Sequence, residues 1–329
     1  MDYLKSNSVD LVVTSPPYPM ISMWDKMFNK QNKMMEKKLE QNDGKSAFQL
    51  MHKELDKVWS ELYRVLKPGA IACINIGDAT RTLNSNFQLY PNHSRIINYC
   101  FGIGFEILPA IIWRKQTNAP NKFMGSGMLP VGAYVTLEHE YILIFRKNSK
   151  RLFKTKDQKL NRRESSFFWE ERNLWFSDIW FDIKGTNQKL LDKETRKRSA
   201  AFPFELVYRL INMYSVKGDT ILDPFLGTGT TSLAAMVSER NSVGIEIEKD
   251  FSNIINKTFN NVINISNKAI DKRIKEHEEF LNKRKGKEFK HRNKKYGFSV
   301  VSNPEEEIVL NKIAQIEKLK NNIYEVSYK

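Results

Sequence analysis

Two segments lying far apart in the chain constrain its fold more than any other feature. They are Thr14-Ser15-Pro16-Pro17-Tyr18 and Asp223-Pro224-Phe225-Leu226-Gly227-Thr228-Gly229-Thr230-Thr231. Each follows a short apolar run, Asp10-Leu11-Val12-Val13 in one case and Thr220-Ile221-Leu222 in the other, and such runs read as strands. Proline stops the first strand, because it has no N–H for the ladder and forces its predecessor to stay extended. Glycines stop the second and lead into a helix through Ala234 and Met236. Both segments therefore sit at carboxyl ends of strands, where open α/β sheets place ligands. The expectation is two neighbouring pockets on one mostly parallel sheet.

The sequence between the two motifs keeps an α/β rhythm. Met51, Leu55, Val58, Leu62, Val65 and Leu66 recur at helical spacing. Lys67-Pro68-Gly69 ends that helix, and residues 70–76 read as a buried strand. A helix over 94–100 stops at Gly102 and Gly104, and strands follow around 106–113 and 141–145. Pro203 suits the first turn of a helix carrying Val207, Leu210, Ile211 and Tyr214, and 242–247 reads as a further strand. This pattern predicts an α/β fold, a mostly parallel twisted sheet flanked by helices. Residues 147–199 break the pattern with mixed aromatic and charged residues and read as an insertion. After about residue 265 the chain reads as a charged helical extension, with a basic stretch from Lys283 to Lys295. The predicted division is 1–146, 147–199, 200–265 and 266–329.

Composition limits the function classes. A formal charge of +15 attracts polyanions and suits a nucleic-acid partner, although a lysine-rich solvated surface has the same composition. No apolar stretch approaches the roughly 18–20 residues that span a bilayer, and Asp10 and Pro16-Pro17 come too early for a signal peptide. Cys73 and Cys100 read as buried thiols rather than a disulfide or metal site, which suits a reducing cytoplasm. The glycine loop lacks the Gly-Lys-Ser/Thr of a phosphate-binding loop and the third glycine of a dinucleotide site. Glu246 stands 23 residues after Asp223, close to the spacing of about 20 at which a carboxylate accepts from ribose hydroxyls. A nucleoside cofactor fits that pairing.

Taken together, the two motifs resemble those of the S-adenosylmethionine-dependent DNA methyltransferases that modify exocyclic amino groups. The order, tetrapeptide first and glycine loop second, resembles the circularly permuted subgroup called class beta. Leu66-Lys67-Pro68-Gly69, Asn75-Ile76-Gly77-Asp78-Ala79, Ile112-Trp113-Arg114-Lys115 and His139-Glu140-Tyr141 look like its intervening motifs. The resemblance implies a Rossmann-like core and S-adenosyl-L-methionine as cofactor. It assigns cofactor binding to Asp223, Pro224, Phe225, Gly227, Gly229, Thr230 and Glu246, with Phe202 and Pro203 on the cofactor's far side and Asp223 near its ammonium. Asp2 departs from the pattern, because the usual preceding glycine is missing.

The same resemblance makes Ser15, Pro16, Pro17 and Tyr18 the catalytic set. A nucleobase amine is a poor nucleophile because its lone pair is delocalised into the ring. Acceptors on both N–H bonds would redirect that pair; the Pro16 carbonyl can supply one, Ser15 can accept from the amine or donate to the adjacent ring nitrogen, and Tyr18 can stack on the base. A base inside a duplex cannot reach such a pocket, so flipping is implied. Serine in the first position points in this family to cytosine N4, and Asp or Asn to adenine N6. No cysteine follows a proline, which excludes the cytosine-C5 branch. An adenine-N6 enzyme, an RNA methyltransferase and a non-catalytic DNA-binding protein are the rival readings. The 147–199 insertion occupies the family's target-recognition place, with Arg162, Arg163, Arg172, Arg196 and Arg198 as candidate DNA contacts. Trp113 reads as a buried strand residue or as a wall of the base pocket. Double-stranded DNA is the implied partner; a homodimer and a cognate restriction endonuclease are left open.

Overall fold

The computed structural model describes residues 1–115, 124–185, 202–284, 286 and 288–329. Arg196 and Arg198 lie outside the described residues. The strands, in chain order, are β1 (Val9–Thr14), β2 (Leu66–Ile76), β3 (Ala79–Leu83), β4 (Asn86–Tyr90), β5 (Phe105–Arg114), β6 (Met124–Gly125), β7 (Ala133–Tyr134), β8 (His139–Lys147), β9 (Ile179–Trp180), β10 (Thr220–Asp223), β11 (Asn241–Gly244), β12 (His291–Arg292), β13 (Ser299–Val300), β14 (Ile313–Lys318) and β15 (Tyr324–Tyr328). Two compact units emerge, one of Met1–Ser8, Thr14–Ser149 and Asp178–Pro203, the other of Val9–Val13, Lys150–Ser177 and Phe204–Lys329. Among the described residues no helix is long and apolar enough to cross a membrane.

In the first unit the strand order is β2-β8-β5-β9. Strand β8 runs antiparallel to both β2 and β5, while β9 runs parallel to β5, so β8 is the reversed strand of an otherwise parallel set. Residues 71–76 of β2 and Ile142 to Phe145 of β8 are buried, as a near-continuous apolar run demands when both sheet faces are covered. Pro109 falls where the β5–β8 register shifts between Leu108 and Ile111. A bulge of this kind tolerates a residue with no N–H to donate. The helix Gly44–Val65 begins where the Asp43 carboxylate accepts from the Ser46 N–H at 3.1 Å. It buries Met51, Leu55, Trp59 and Leu62, the stripe its 3.6-residue period lays on one face. It ends at Val65 and β2 starts at once, so Lys67-Pro68-Gly69, read from sequence as a helix stop, opens a strand instead.

In the second unit β10 lies between β1 and β11, and all three are parallel. The helix Phe204–Tyr214 buries Val207, Leu210 and Ile211, the face read from the sequence, and Pro203 immediately precedes it. Strand β11 stops at Gly244, earlier than the predicted 242–247, and leaves Glu246 beyond the strand end.

Two expectations about organisation change. The 147–199 segment is not one insertion: residues 150–177 belong to the second unit, whereas β9 extends the sheet of the first. Its aromatics explain the former part. Phe168 is buried beside Val300 and Ile308, and its ring stacks on His277 at 4.2 Å. Arg273, buried on the helix Val262–Asn282, donates to both oxygens of Glu171 at 2.5 and 2.7 Å and to the Tyr208 hydroxyl at 3.1 Å. Among the described residues the 266–329 extension is α-helical only as far as Asn282; beyond it come the antiparallel pairs β12–β13 and β14–β15 and short 3-10 turns at Asn303–Glu307 and Lys320–Asn322. The alternation in Tyr324-Glu325-Val326-Ser327-Tyr328 is a period-2 pattern that charge composition alone concealed.

Removing Arg273 would leave the Glu171 carboxylate buried without its counter-charge, at a cost of about 3–5 kcal/mol. Arg273→Ala should shift the urea unfolding midpoint accordingly; an unchanged midpoint would show that the pair contributes nothing.

Candidate active site

Strand β1 delivers Thr14 directly into the tetrapeptide, where Pro16 and Pro17 are buried and Ser15 and Tyr18 are half-buried. The Tyr18 ring packs on Gly77, where an added Cβ would lie 3.0 Å from the ring's Cε2 and 3.4 Å from Glu140 Cγ. Glycine here allows the ring its close approach. The Tyr18 hydroxyl donates to Glu140 Oε2 at 2.8 Å, and Asn75 Nδ2 donates to the Tyr18 oxygen at 2.8 Å and to the same Glu140 oxygen at 2.7 Å. Ser15 Oγ lies 3.3 Å from the Tyr18 hydroxyl, and Lys115 Nζ donates to Glu140 Oε1 at 2.7 Å. Burial first, and then the Glu140 charge, push the Tyr18 phenol well above its ordinary pKa. It therefore stays protonated.

A second set of bonds fixes the backbone around the ring. Asn92 Nδ2 donates to the carbonyls of Pro19 and Gly77 at 3.1 and 2.9 Å. Its oxygen then faces His52 Nε2 at 2.9 Å, which makes that nitrogen the protonated one of a neutral imidazole. Burial holds His52 down at about 3. Trp113 is buried and its indole N–H donates to the Ile183 carbonyl at 2.8 Å, which favours the strand-residue reading over a wall of the base pocket.

Asn75, Glu140 and Lys115 were visible in the sequence only as members of short motifs, with no role attached. The available signal was a carboxylate inside an apolar strand, Glu140 before Tyr141-Ile142-Leu143-Ile144-Phe145. Such a charge persists when paired and hydrogen-bonded.

The glycine loop forms the second cluster. Asp223 is buried at the end of β10; one oxygen accepts from the Phe225 N–H at 3.0 Å and the other from the Thr231 hydroxyl at 2.6 Å. Those bonds shape the turn, so Asp223 acts on the loop rather than facing outward as an open carboxylate. Gly227 and Gly229 take φ of 55° and 85°, the left-handed region that favours glycine. A Cβ on Gly229 would meet Ile255 at 3.2 Å, while, among the described residues, one on Gly227 would meet only the Phe225 carbonyl at 3.9 Å. The described residues therefore leave open space above Gly227. Glu246 accepts from the Gly227 N–H at 2.7 Å and from the Glu248 N–H at 2.8 Å, one on each oxygen. Each oxygen keeps acceptor capacity. Pro224 is buried; Phe225, Thr230 and Glu246 are half-buried.

Phe202 and Pro203 are buried in the first unit. Arg162, Arg163 and Arg172 are exposed in the second; Arg162 lies over the Phe153 ring at 4.8 Å, Arg172 over Phe176 at 5.8 Å, and Arg163 donates to Asn303 Oδ1 at 2.7 Å.

Residues 9–257 match the sequence profile of a family described as DNA methylase. The chain is 52% identical over 329 residues to the Type II methyltransferase M.MthZI of Methanothermobacter thermautotrophicus, covering all of this chain and 92% of that protein. It is 52% identical over 266 residues to the Type II methyltransferase M.MjaI of Methanocaldococcus jannaschii, covering 78% of this chain and 86% of the other. Among solved structures it resembles a Thermus thermophilus protein assigned as a DNA modification methylase and complexed with S-adenosyl-L-methionine. That match has a TM-score of 0.61 and 30% identity, and covers 79% of this chain and 89% of the other.

The neutral His52 gives the site a pH signature. Its folded value of about 3 lies below the unfolded value near 6.5, so the folded state binds fewer protons between them. Its contribution is complete above pH 6.5 and is lost on acidification, by up to about 1.4 kcal/mol per pH unit. His52→Gln keeps a donor for Asn92 and removes the titration. Its urea-unfolding stability should decline less steeply than wild type as pH falls below 6.5, and parallel declines would exclude His52 as the cause.

Proposed function

This chain belongs to the DNA methylase family, and from that premise we propose that it methylates the exocyclic N4 of a cytosine extruded from duplex DNA, with S-adenosyl-L-methionine as donor. The relatives named Type II methyltransferases support a further reading, that it is the modification enzyme of a restriction-modification system. The observation that carries the chemistry is the anchored Ser15-Pro16-Pro17-Tyr18 turn. The residues of the glycine loop fit the cofactor: Glu246 has acceptor capacity for ribose hydroxyls, and the open space at Gly227 admits a ligand to the backbone. Asp223 contributes through the turn it shapes. When bound, the cofactor supplies an electrophilic methyl group on sulfur.

The chain's own groups do the rest by positioning. Ser15 Oγ and the Pro16 carbonyl accept the two amine hydrogens and turn the nitrogen lone pair out of the ring. The Tyr18 ring stacks on the extruded base, a contact worth about 1–3 kcal/mol on comparable aromatic platforms. No strong base is needed, since orienting the amine in a desolvated pocket supplies the acceleration. The nitrogen would take the methyl as the sulfur–carbon bond breaks, leaving a neutral thioether, and the now acidic methylated nitrogen would lose one proton to water. Arg162, Arg163 and Arg172 are read as contacts to phosphates or guanine edges.

Digestion of DNA modified by the enzyme, followed by mass spectrometry of the nucleosides, should give N4-methylcytosine. N6-methyladenine would keep the mechanism and overturn the base assignment, and no methylated nucleoside would overturn both. Glu246→Ala should weaken calorimetrically measured cofactor affinity by about 1.5–3 kcal/mol, the worth of a charged hydrogen bond. Arg162→Ala combined with Arg163→Ala should raise the DNA dissociation constant and flatten its salt dependence, with cofactor affinity unchanged. A wild-type salt slope would remove these arginines from the DNA interface.

A further inference from the structure

The hydrogen-bond network at Tyr18 has a direction, and it is set by Glu140. An ionised carboxylate only accepts hydrogen bonds. Lys115 Nζ sits 2.7 Å from one Glu140 oxygen, so the carboxylate is paired with an ammonium. The other oxygen is 2.8 Å from the Tyr18 hydroxyl, which has one proton and must give it to Glu140. Asn75 faces the same oxygen at 2.7 Å, so its amide must present nitrogen there and not its carbonyl; its second N–H serves the Tyr18 oxygen at 2.8 Å. With the phenol proton already committed, the long 3.3 Å contact to Ser15 has one sense only: Ser15 donates and Tyr18 accepts.

The consequence falls on Ser15. Its single proton is directed at Tyr18, and its oxygen keeps lone pairs alone for any ligand. We infer that Glu140 polarises a relay, Ser15 to Tyr18 to Glu140, that presents Ser15 to the target amine as an acceptor and not as a donor. Glu140 is a positioning residue in this scheme, acting through Tyr18. The relay deepens the methyl-transfer reading and rests on it, since an exocyclic amine offers N–H groups that need acceptors. It also gives the Tyr18 hydroxyl a defined part. That oxygen has spent its donor on Glu140 and accepts from Asn75 and Ser15, so the base meets the ring face.

Glu140→Gln tests the relay with almost no change in shape, because its amide can donate to Tyr18 and reverse the order. Single-turnover methylation of duplex DNA by the full-length enzyme should slow by about tenfold or more, the cost of losing a hydrogen bond that counts in the transition state. Cofactor affinity should stay at its wild-type value, while loss of the charge that pairs with Lys115 should lower the melting temperature. Tyr18→Phe keeps the stacking ring, cuts the relay, and should slow turnover to a similar extent. The double variant should be no slower than the slower single. Wild-type turnover in Glu140→Gln, or losses that multiply in the double variant, would overturn the relay. Should Glu140→Gln fail to fold, Tyr18→Phe decides, because a wild-type rate there excludes any relay through the hydroxyl. The underlying reading fails separately: wild-type enzyme that leaves DNA unmethylated sinks methyl transfer itself, before any variant is compared.

Discussion

A carboxylate buried in a strand is the constraint on which the tetrapeptide cluster depends. Glu140 is buried in β8 between the half-buried His139 and Tyr141, and an isolated charge there costs several kcal/mol. The structure surrounds it with donors: Lys115 on one oxygen, Tyr18 and Asn75 on the other. Each of those partners is thereby pinned. Tyr18 cannot rotate its ring without surrendering a charged hydrogen bond, and Gly77 beneath the ring leaves no side chain to push it away. The buried charge thus specifies one orientation of an aromatic ring.

The glycine loop follows the same logic with different parts. Asp223 ends β10 and Glu246 lies two residues beyond β11, and the two carboxylates divide the work. Asp223 is buried and spends its oxygens on the Phe225 N–H and the Thr231 hydroxyl, which fixes the turn from β10 into the helix Thr230–Val237. Glu246 stands half-buried and braces Gly227 through one backbone bond. Both accept one hydrogen bond on each oxygen, and burial separates them: Asp223 is enclosed, whereas Glu246 keeps part of its carboxylate at the surface. Sequence spacing alone treats them as a pair.

How much of this was legible follows from the range of each interaction. The strand–proline and strand–glycine junctions are local: β1 into Ser15 and β10 into Gly227 follow from residues adjacent in the chain, and so does the stripe on the helix Gly44–Val65. The fold class was readable for that reason. Partners separated by long stretches of chain were not. Nothing around Glu140 names Tyr18, and nothing around Arg273 names Glu171; both pairings appear only when the chain is folded. The 147–199 segment misled for a related reason. Its aromatics lack a period because Phe168 and Trp175 pack against residues near position 273 and beyond, so no local face had to form. The terminal hairpins were hidden by charge, which masks a period-2 pattern when one strand face is solvated.

The direction of the relay also bears on which residue can stand at position 15. An aspartate there would place a second acceptor-only carboxylate against a phenol whose single proton already belongs to Glu140, and the two charges would compete for it. Burial would sharpen that repulsion, since a half-buried pair of like charges is poorly screened. A side chain carrying a donor avoids the conflict: it gives a hydrogen to Tyr18 and keeps acceptor capacity for the ligand. Serine does so with one oxygen in both roles, which keeps the acceptor at the point where the relay ends. In the relay, position 15 is coupled to position 140 through Tyr18, and serine is a residue that the buried carboxylate accommodates there.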